Sequence, residues 1–296
     1  MERFGLLTSI FLFLISGILF SQSKQQKDKW GGQISERFKL PDNIKIIKDI
    51  PYAKYCKQEV LLDLYFPKNS GDTFLPCIIV IHGGSWRKHD KEFFAPHAAY
   101  FAQNGFAAAC IDYRLFPEVT IKECVHDVKA AVRWIRAKGR KYGIDPNKIG
   151  AFGGSAGAHL AFMLATTHKI AQLEGNGGNP GVSSRIQAVV GLAAPANIMT
   201  DKILKRYNLD KETAFLLSPV NYVDYDSAPC LLIHSIDDKG VPFESSRMLL
   251  NKYKKAGVYA ELVPIHGAPH AFWNFTKWFD KTMQLSVEFF HKMFNK

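Results

Sequence analysis

Short apolar runs alternate along this chain with longer stretches in which apolar residues recur every third or fourth position. Ile44–Ile47 and Val60–Phe66 read as strands, the second ended by Pro67. Pro76–Ile81, Phe106–Tyr113, Ile149–Phe152, Ile186–Ala194, Cys230–His234 and Val258–Ile265 are further strand-like runs. Several are apolar almost throughout, as expected of strands covered on both faces of a sheet. Between them, Phe93–Gln103, Thr120–Tyr142, Ala158–Leu164, Phe243–Ala256 and Thr276–Phe294 read as helices. In the second of these, Val125, Val128, Val132 and Ile135 keep a helical step, and Gly143 with Asp145-Pro146-Asn147 stops it. Asn197–Tyr225 is irregular or helical and is expected to cover a pocket. Alternating strands and helices predict one α/β domain, a mostly parallel sheet with helices on both faces. No internal repeat or second-domain boundary interrupts the pattern.

The N-terminus departs from it. Gly5–Phe20 is almost wholly apolar, follows Arg3, and gives way to Ser21 and a polar run. It is expected to be a signal peptide covering 1–21, followed by a flexible lead-in over 22–42 and an α/β domain over 43–296. An uncleaved anchor competes with this reading, but the run is short of the roughly 20 residues that a spanning helix needs. Export to the periplasm or beyond is the expectation, with no stable membrane partner after cleavage.

Composition adds little to this picture. The chain has 296 residues, 47% hydrophobic and 22% charged, an ordinary balance for a globular protein with a sizeable core. The net charge of +11 admits nucleic acid as a partner, yet Arg136, Lys138, Arg140 and Lys141 are a loose scatter rather than a block. A solvated basic surface is the simpler reading. Cys56, Cys77, Cys110, Cys124 and Cys230 form an odd set with no metal-ligand spacing, so no metal and no disulfide framework are implied. The glycine-rich stretch 172–186 joins no strand to a helix N-terminus and reads as a loop rather than a phosphate cradle.

The chemistry centres on Ile149–Ala158. Ser155 has Gly153 and Gly157 two residues to either side, the G-x-S-x-G pattern of a strained strand-to-helix turn that exposes a serine hydroxyl. Acyl transfer by serine needs a base, a carboxylate to orient it, and donors for an oxyanion. In a parallel sheet these groups collect at the C-terminal ends of strands. Asp237 and Asp238 follow the strand ending at His234, and His266 and His270 follow the strand ending at Ile265. The chain order Ser, Asp, His suits an α/β-hydrolase triad.

Several motifs now combine. Leu62–Pro67, His82-Gly83-Gly84-Ser85-Trp86, Asp112–Leu115, Asp127–Trp134, Asn179–Ser184 and Ser218–Val223 accompany the elbow. From about Ile50 to about Phe290 the chain resembles α/β-hydrolase fold esterases, close to bacterial acetyl and feruloyl esterases and hormone-sensitive-lipase-like carboxylesterases. The resemblance implies a His-Gly-x-x-Asp-x-x-Val-Pro pattern over His234–Pro242, which makes Asp238 the acid and Asp237 the fallback. Ser235 stands where a glycine is usual and is expected to tighten the turn. The family-like Gly-x-x-His-x-Phe falls on Gly267, His270 and Phe272, which makes His270 the base.

The implied roles are nucleophile for Ser155 and oxyanion donors from the backbone of Gly84, Ser85 and Ala156. Trp86 is expected to wall the acyl pocket, with a packed core tryptophan as the alternative, His82 to brace the oxyanion loop, and Arg114 with Asp127 to make structural contacts. The resemblance implies a cofactor-free serine esterase acting on small acyl esters, with acetyl groups on carbohydrate as the expected substrate. Two alternatives stand beside it. A peptidase of the prolyl-oligopeptidase type would normally carry an aromatic residue where Gly154 precedes the serine, and a propeller upstream. A binding protein on an inactive hydrolase fold would lack a triad member.

Overall fold

In a computed structural model the structure describes residues 30–56, 58–69, 71 and 73–295; the expected signal peptide lies outside them. Eight strands form one sheet: β1 (Ile44–Tyr55), β2 (Gln58–Pro67), β3 (Leu75–Ile81), β4 (Ala107–Ile111), β5 (Ile144–Gly154), β6 (Ala188–Leu192), β7 (Cys230–Ser235) and β8 (Ala260–Ile265). Their order is β1-β2-β4-β3-β5-β6-β7-β8. Only β2 runs against its neighbours; β4, β3 and β5 to β8 pair in parallel.

Strand alternation sorts the core into two layers. Cys77, Ile79 and Ile81 of β3 point to one face, packed with α2 (Ile121–Lys138), α3 (Ala156–Thr166) and α6 (Glu244–Lys255). Ile78 and Val80 point to the other, packed with α1 (Ala95–Gln103) and α7 (Thr276–Phe294). Every β3 residue from Cys77 to Ile81 is fully buried, which is why an unbroken apolar run marks this strand.

Helix α2 begins at a capping box. The Thr120 hydroxyl oxygen accepts from the Glu123 N–H at 3.3 Å, and the Glu123 carboxylate accepts from the Thr120 N–H at 2.8 Å. At its other end the turn Gly139–Tyr142 closes into Gly143, in the left-handed region. The glycine-rich loop after α3 is held from inside the protein. Buried Lys129 donates to the Thr167 carbonyl and to Glu174 at 2.8 and 2.7 Å, while Arg133 donates to Glu174 and to the Gly177 carbonyl. These cations are consumed by the loop's own acceptors, in keeping with a structural connection.

One expectation changes here. The lead-in expected to be flexible over 22–42 is, from Trp30 onward, docked: Trp30 packs edge-on against Phe275 at 5.1 Å, and the Ile34 N–H donates to the Asn274 carbonyl at 2.7 Å. Its polar composition concealed three apolar anchors, Trp30, Ile34 and Phe38, that join the second core layer. The segment 197–225, which contains α4 (Asp201–Tyr207) and α5 (Lys211–Leu216), packs on the first layer, with Tyr207 reaching Ser85 at the border of the cleft. All five cysteines are free thiols, four of them buried.

Candidate active site

Ser155 sits between β5 and α3 at φ 55° and ψ −119°, a conformation costly for a non-glycine residue. The turn is feasible only because its neighbours lack side chains. A Cβ on Gly153 would lie 2.4 Å from the Gly157 main chain, and one on Gly157 would lie 2.2 Å from the Ile81 carbonyl oxygen. The Ser155 N–H donates to the Leu192 carbonyl at 2.8 Å, tying the elbow to β6.

The loops after β7 and β8 converge on that hydroxyl. Ser155 Oγ lies 3.0 Å from His270 Nε2, and His270 Nδ1 lies 2.7 Å from Asp238 Oδ2. With Nδ1–H donating to the carboxylate, Nε2 is left as the acceptor of the serine proton. The other carboxylate oxygen, Oδ1, accepts from the N–H groups of Gly240 and Val241 at 2.7 and 2.9 Å. Burial opposes the Asp238 charge, but hydrogen bonds from His234 and His270 and the Val241 N–H prevail and hold the carboxyl well below the usual carboxylate range. Asp237 is turned away, its carboxylate accepting from the Gly267 N–H at 2.7 Å. His266 is exposed at the surface.

Three supporting residues were not assigned a role by sequence. His234 is fully buried; its Nε2–H donates to the Val241 carbonyl at 3.0 Å and lies 3.4 Å from Asp238 Oδ2, while Nδ1 accepts from the Ser246 hydroxyl at 2.7 Å. Its position four residues before the acid, already visible in the sequence, was the available signal. Tyr207 donates its hydroxyl to the Ser85 carbonyl at 2.8 Å. Gln33 lines the cleft from the docked N-terminal segment. Neither of the last two has a local sequence signature.

Ser235, the departure from the family pattern, donates to the Ala268 carbonyl at 2.6 Å and accepts from the Asp237 N–H at 3.2 Å. It therefore ties the acid loop to the histidine loop, a tightening across two loops as well as within one.

Gly84 and Ser85 border the same cleft as Ser155. Ser85 and Trp86 both hold left-handed backbone, at φ 57° and 56°. Ala156 is the first residue of α3, where an N–H has no intrahelical acceptor. His82 lies behind this loop, stacked on Tyr113 at 4.4 Å, with Nδ1 2.8 Å from the Gly83 carbonyl. Burial pushes its pKa down to about 4, so it is a neutral brace. Arg114 and Asp127 form a two-pronged ion pair with contacts of 2.8 and 2.9 Å, and the guanidinium covers the Tyr55 ring.

Trp86 corrects the sequence reading. It is 4% exposed and packs edge-on against His159 and Tyr207 at 5.1 and 5.4 Å, away from the cleft lining. The left-handed turn at Ser85-Trp86 directs the indole into the core. The aromatic walls of the cleft come instead from Phe93, Phe94, Trp273 and Phe275, around a cavity of about 330 Å³.

Comparison with known proteins fits this geometry. The family model described as BD-FAE matches residues 62–253, and the chain belongs to that family of α/β-hydrolases. Among curated proteins, the isoprenylcysteine alpha-carbonyl methylesterase ICME of Arabidopsis thaliana is 28% identical over 78% of this chain and 60% of its own length. The esterase LipQ of Mycobacterium tuberculosis is 30% identical over 76% of this chain and 56% of its own. The chain thus spans somewhat more than half the length of these two relatives. Solved structures align nearly end to end. Thermogutta terrifontis esterase 2, solved phosphoramylated by tabun, is 29% identical with a TM-score of 0.76, covering 87% of this chain and 97% of its own. A truncated carbohydrate esterase from gut microbiota is 27% identical with a TM-score of 0.76, covering 85% and 97%.

Proposed function

We propose that the protein is a serine carboxylic ester hydrolase that removes short acyl groups, acetyl foremost, from carbohydrate or a similar polyhydroxy alcohol. The observation that carries this reading is the line from Ser155 Oγ through His270 to Asp238, at 3.0 and 2.7 Å, beginning on a strained elbow inside a cleft. His270 takes the Ser155 proton as Oγ attacks the ester carbonyl, and Asp238 steadies the imidazolium. The backbone N–H groups of Gly84, Ser85 and Ala156 receive the oxyanion. His270 then protonates the leaving alcohol and activates the water that frees the acyl group from Ser155.

The substrate class is supported by the cavity and by likeness. About 330 Å³ is at the small end of ligand pockets and suits a short acyl group with one sugar-sized alcohol. One structural neighbour is a carbohydrate esterase, and the other neighbour and both relatives named above carry esterase names. Hydrolysis of p-nitrophenyl acetate should fall by about 10⁴-fold or more in Ser155→Ala; retention of the wild-type rate would disprove the nucleophile. A series of nitrophenyl esters beside acetylated and feruloylated oligosaccharides then tests the substrate class. The same reading places the enzyme outside the cytoplasm, on the strength of the apolar run Gly5–Phe20. An intact mass for the exported protein that still includes residues 1–21 would refute cleavage.

A further inference from the structure

The N-terminal segment enters the catalytic cleft in a way that the triad does not require. Gln33 pairs with Phe275 in an isolated antiparallel bridge, and the Thr276 N–H donates to the Gly32 carbonyl at 3.2 Å. Gly31 makes this passage possible. It stands at φ +80°, and a Cβ there would lie 2.0 Å from the Thr276 hydroxyl oxygen. The chain therefore runs as a strap across residues 274–278, and Gln33 borders the same cavity as Ser155 and His270. Beside it is Asn274, 6% exposed, whose Oδ1 is buried without a hydrogen-bond partner. Among the described residues the cleft lining contains no carboxylate and one lysine, Lys88.

We propose that Gln33 is a specificity-determining residue that hydrogen-bonds the alcohol part of the ester, with Asn274 beside it, and so selects polyhydroxy alcohols. The inference rests on the serine-esterase reading above. Its direction follows from His270, the group that gives a proton to the departing alcohol. Gln33 is paired to Phe275, five residues along the chain from His270, and all three border one cavity, which puts Gln33 within the space the departing alcohol shares with that imidazole. A primary amide offers two donors and an acceptor, which matches hydroxyl groups that both give and receive. A plain alkyl alcohol presents nothing to it. The amide carries no charge, so Gln33 itself reads hydroxyls rather than an ionic group.

A matched pair of esters tests this: glycerol monoacetate and n-propyl acetate, which share the acyl group and alcohol chain length and differ in hydroxyls. The full-length wild type should favour the glycerol ester in kcat/KM by about tenfold, the worth of a hydrogen bond or two. In Gln33→Leu that ratio should collapse towards one, and Gln33→Asn, which keeps the amide on a shorter arm, should recover part of it. Gly31→Val should collapse the ratio without altering Gln33, because it displaces the strap. A wild type with no preference, or a ratio unchanged in Gln33→Leu, overturns the inference while leaving the esterase intact. Equal losses on both esters leave the ratio unchanged and overturn it too, since that is what a merely structural residue would do. Failure of the wild type to hydrolyse either ester or p-nitrophenyl acetate removes the esterase reading, and this inference with it.

Discussion

Acid should unfold this protein through three histidines that take no part in the triad. His82, His97 and His159 are essentially unexposed, and burial lowers their pKa values to about 4, about 3 and about 4 from an ordinary 6.5. His97 is the most confined, set among Phe94, Phe152 and Phe279 with ring separations of 4.2, 5.7 and 5.1 Å. In each case the folded pKa lies below the unfolded one, so below pH 6.5 the unfolded chain binds protons that the folded chain refuses. No stability is lost above that point; it drains away as pH falls through it towards the folded values. At about pH 5.5 each histidine costs about 1.4 kcal/mol, and the three together about 4 kcal/mol. That is a large fraction of the 5–15 kcal/mol, roughly, that a domain has, and it should lower the melting temperature by about 10 °C. Asp238, held low, stays ionised across this window and adds no slope there. Urea unfolding followed by tryptophan fluorescence, at fixed ionic strength between about pH 7.5 and pH 5.5, measures the loss. His97→Leu should remove about a third of it. An unfolding free energy flat across the window, or a slope unaltered in His97→Leu, would refute the argument.

Three further outcomes are expected. Asp238→Asn should lower kcat for p-nitrophenyl acetate by on the order of 10⁴ by favouring the wrong His270 tautomer, whereas Asp237→Asn, which loses only its bond to the Gly267 N–H, should stay near wild type. The reverse result in steady-state kinetics would shift the acid by one residue. Tyr207→Phe releases the Ser85 carbonyl and loosens the oxyanion loop, so kcat should fall about tenfold to a hundredfold with the thermal midpoint little changed. Wild-type kcat would show that the loop needs no such prop. Ser235→Ala leaves the Ala268 carbonyl without its donor and should cost about 1–3 kcal/mol in urea unfolding; a neutral result would mean that the tie between the two loops is dispensable.

Much of the fold was legible because its rules are local. Apolar runs marked buried strands, a helical step marked α2, and Gly153 and Gly157 marked the elbow, since a tight turn excludes side chains whatever surrounds it. The choice of Asp238 over Asp237 rested on a family pattern, and the geometry places Asp238 against His270. Trp86 was misjudged for a plain reason. Spacing puts it beside the oxyanion loop, but its direction depends on two left-handed residues, Ser85 and Trp86 itself, that no periodicity reveals. The stretch from Trp30 was misread because composition averages over residues, and three apolar anchors among polar neighbours look like a tail until a groove is there to receive them.

The sequence by itself determined the alternation of strands and helices, the elbow, and the order of nucleophile, acid and base, because each depends on residues close together in the chain. Only the tertiary structure decided what joins across distance. It brought His234 against Asp238, Tyr207 against Ser85 and Gln33 into the cleft, and it turned Trp86 inward. These contacts depend on where whole elements pack, and packing depends on shape and volume summed over the core rather than on any short run of residues.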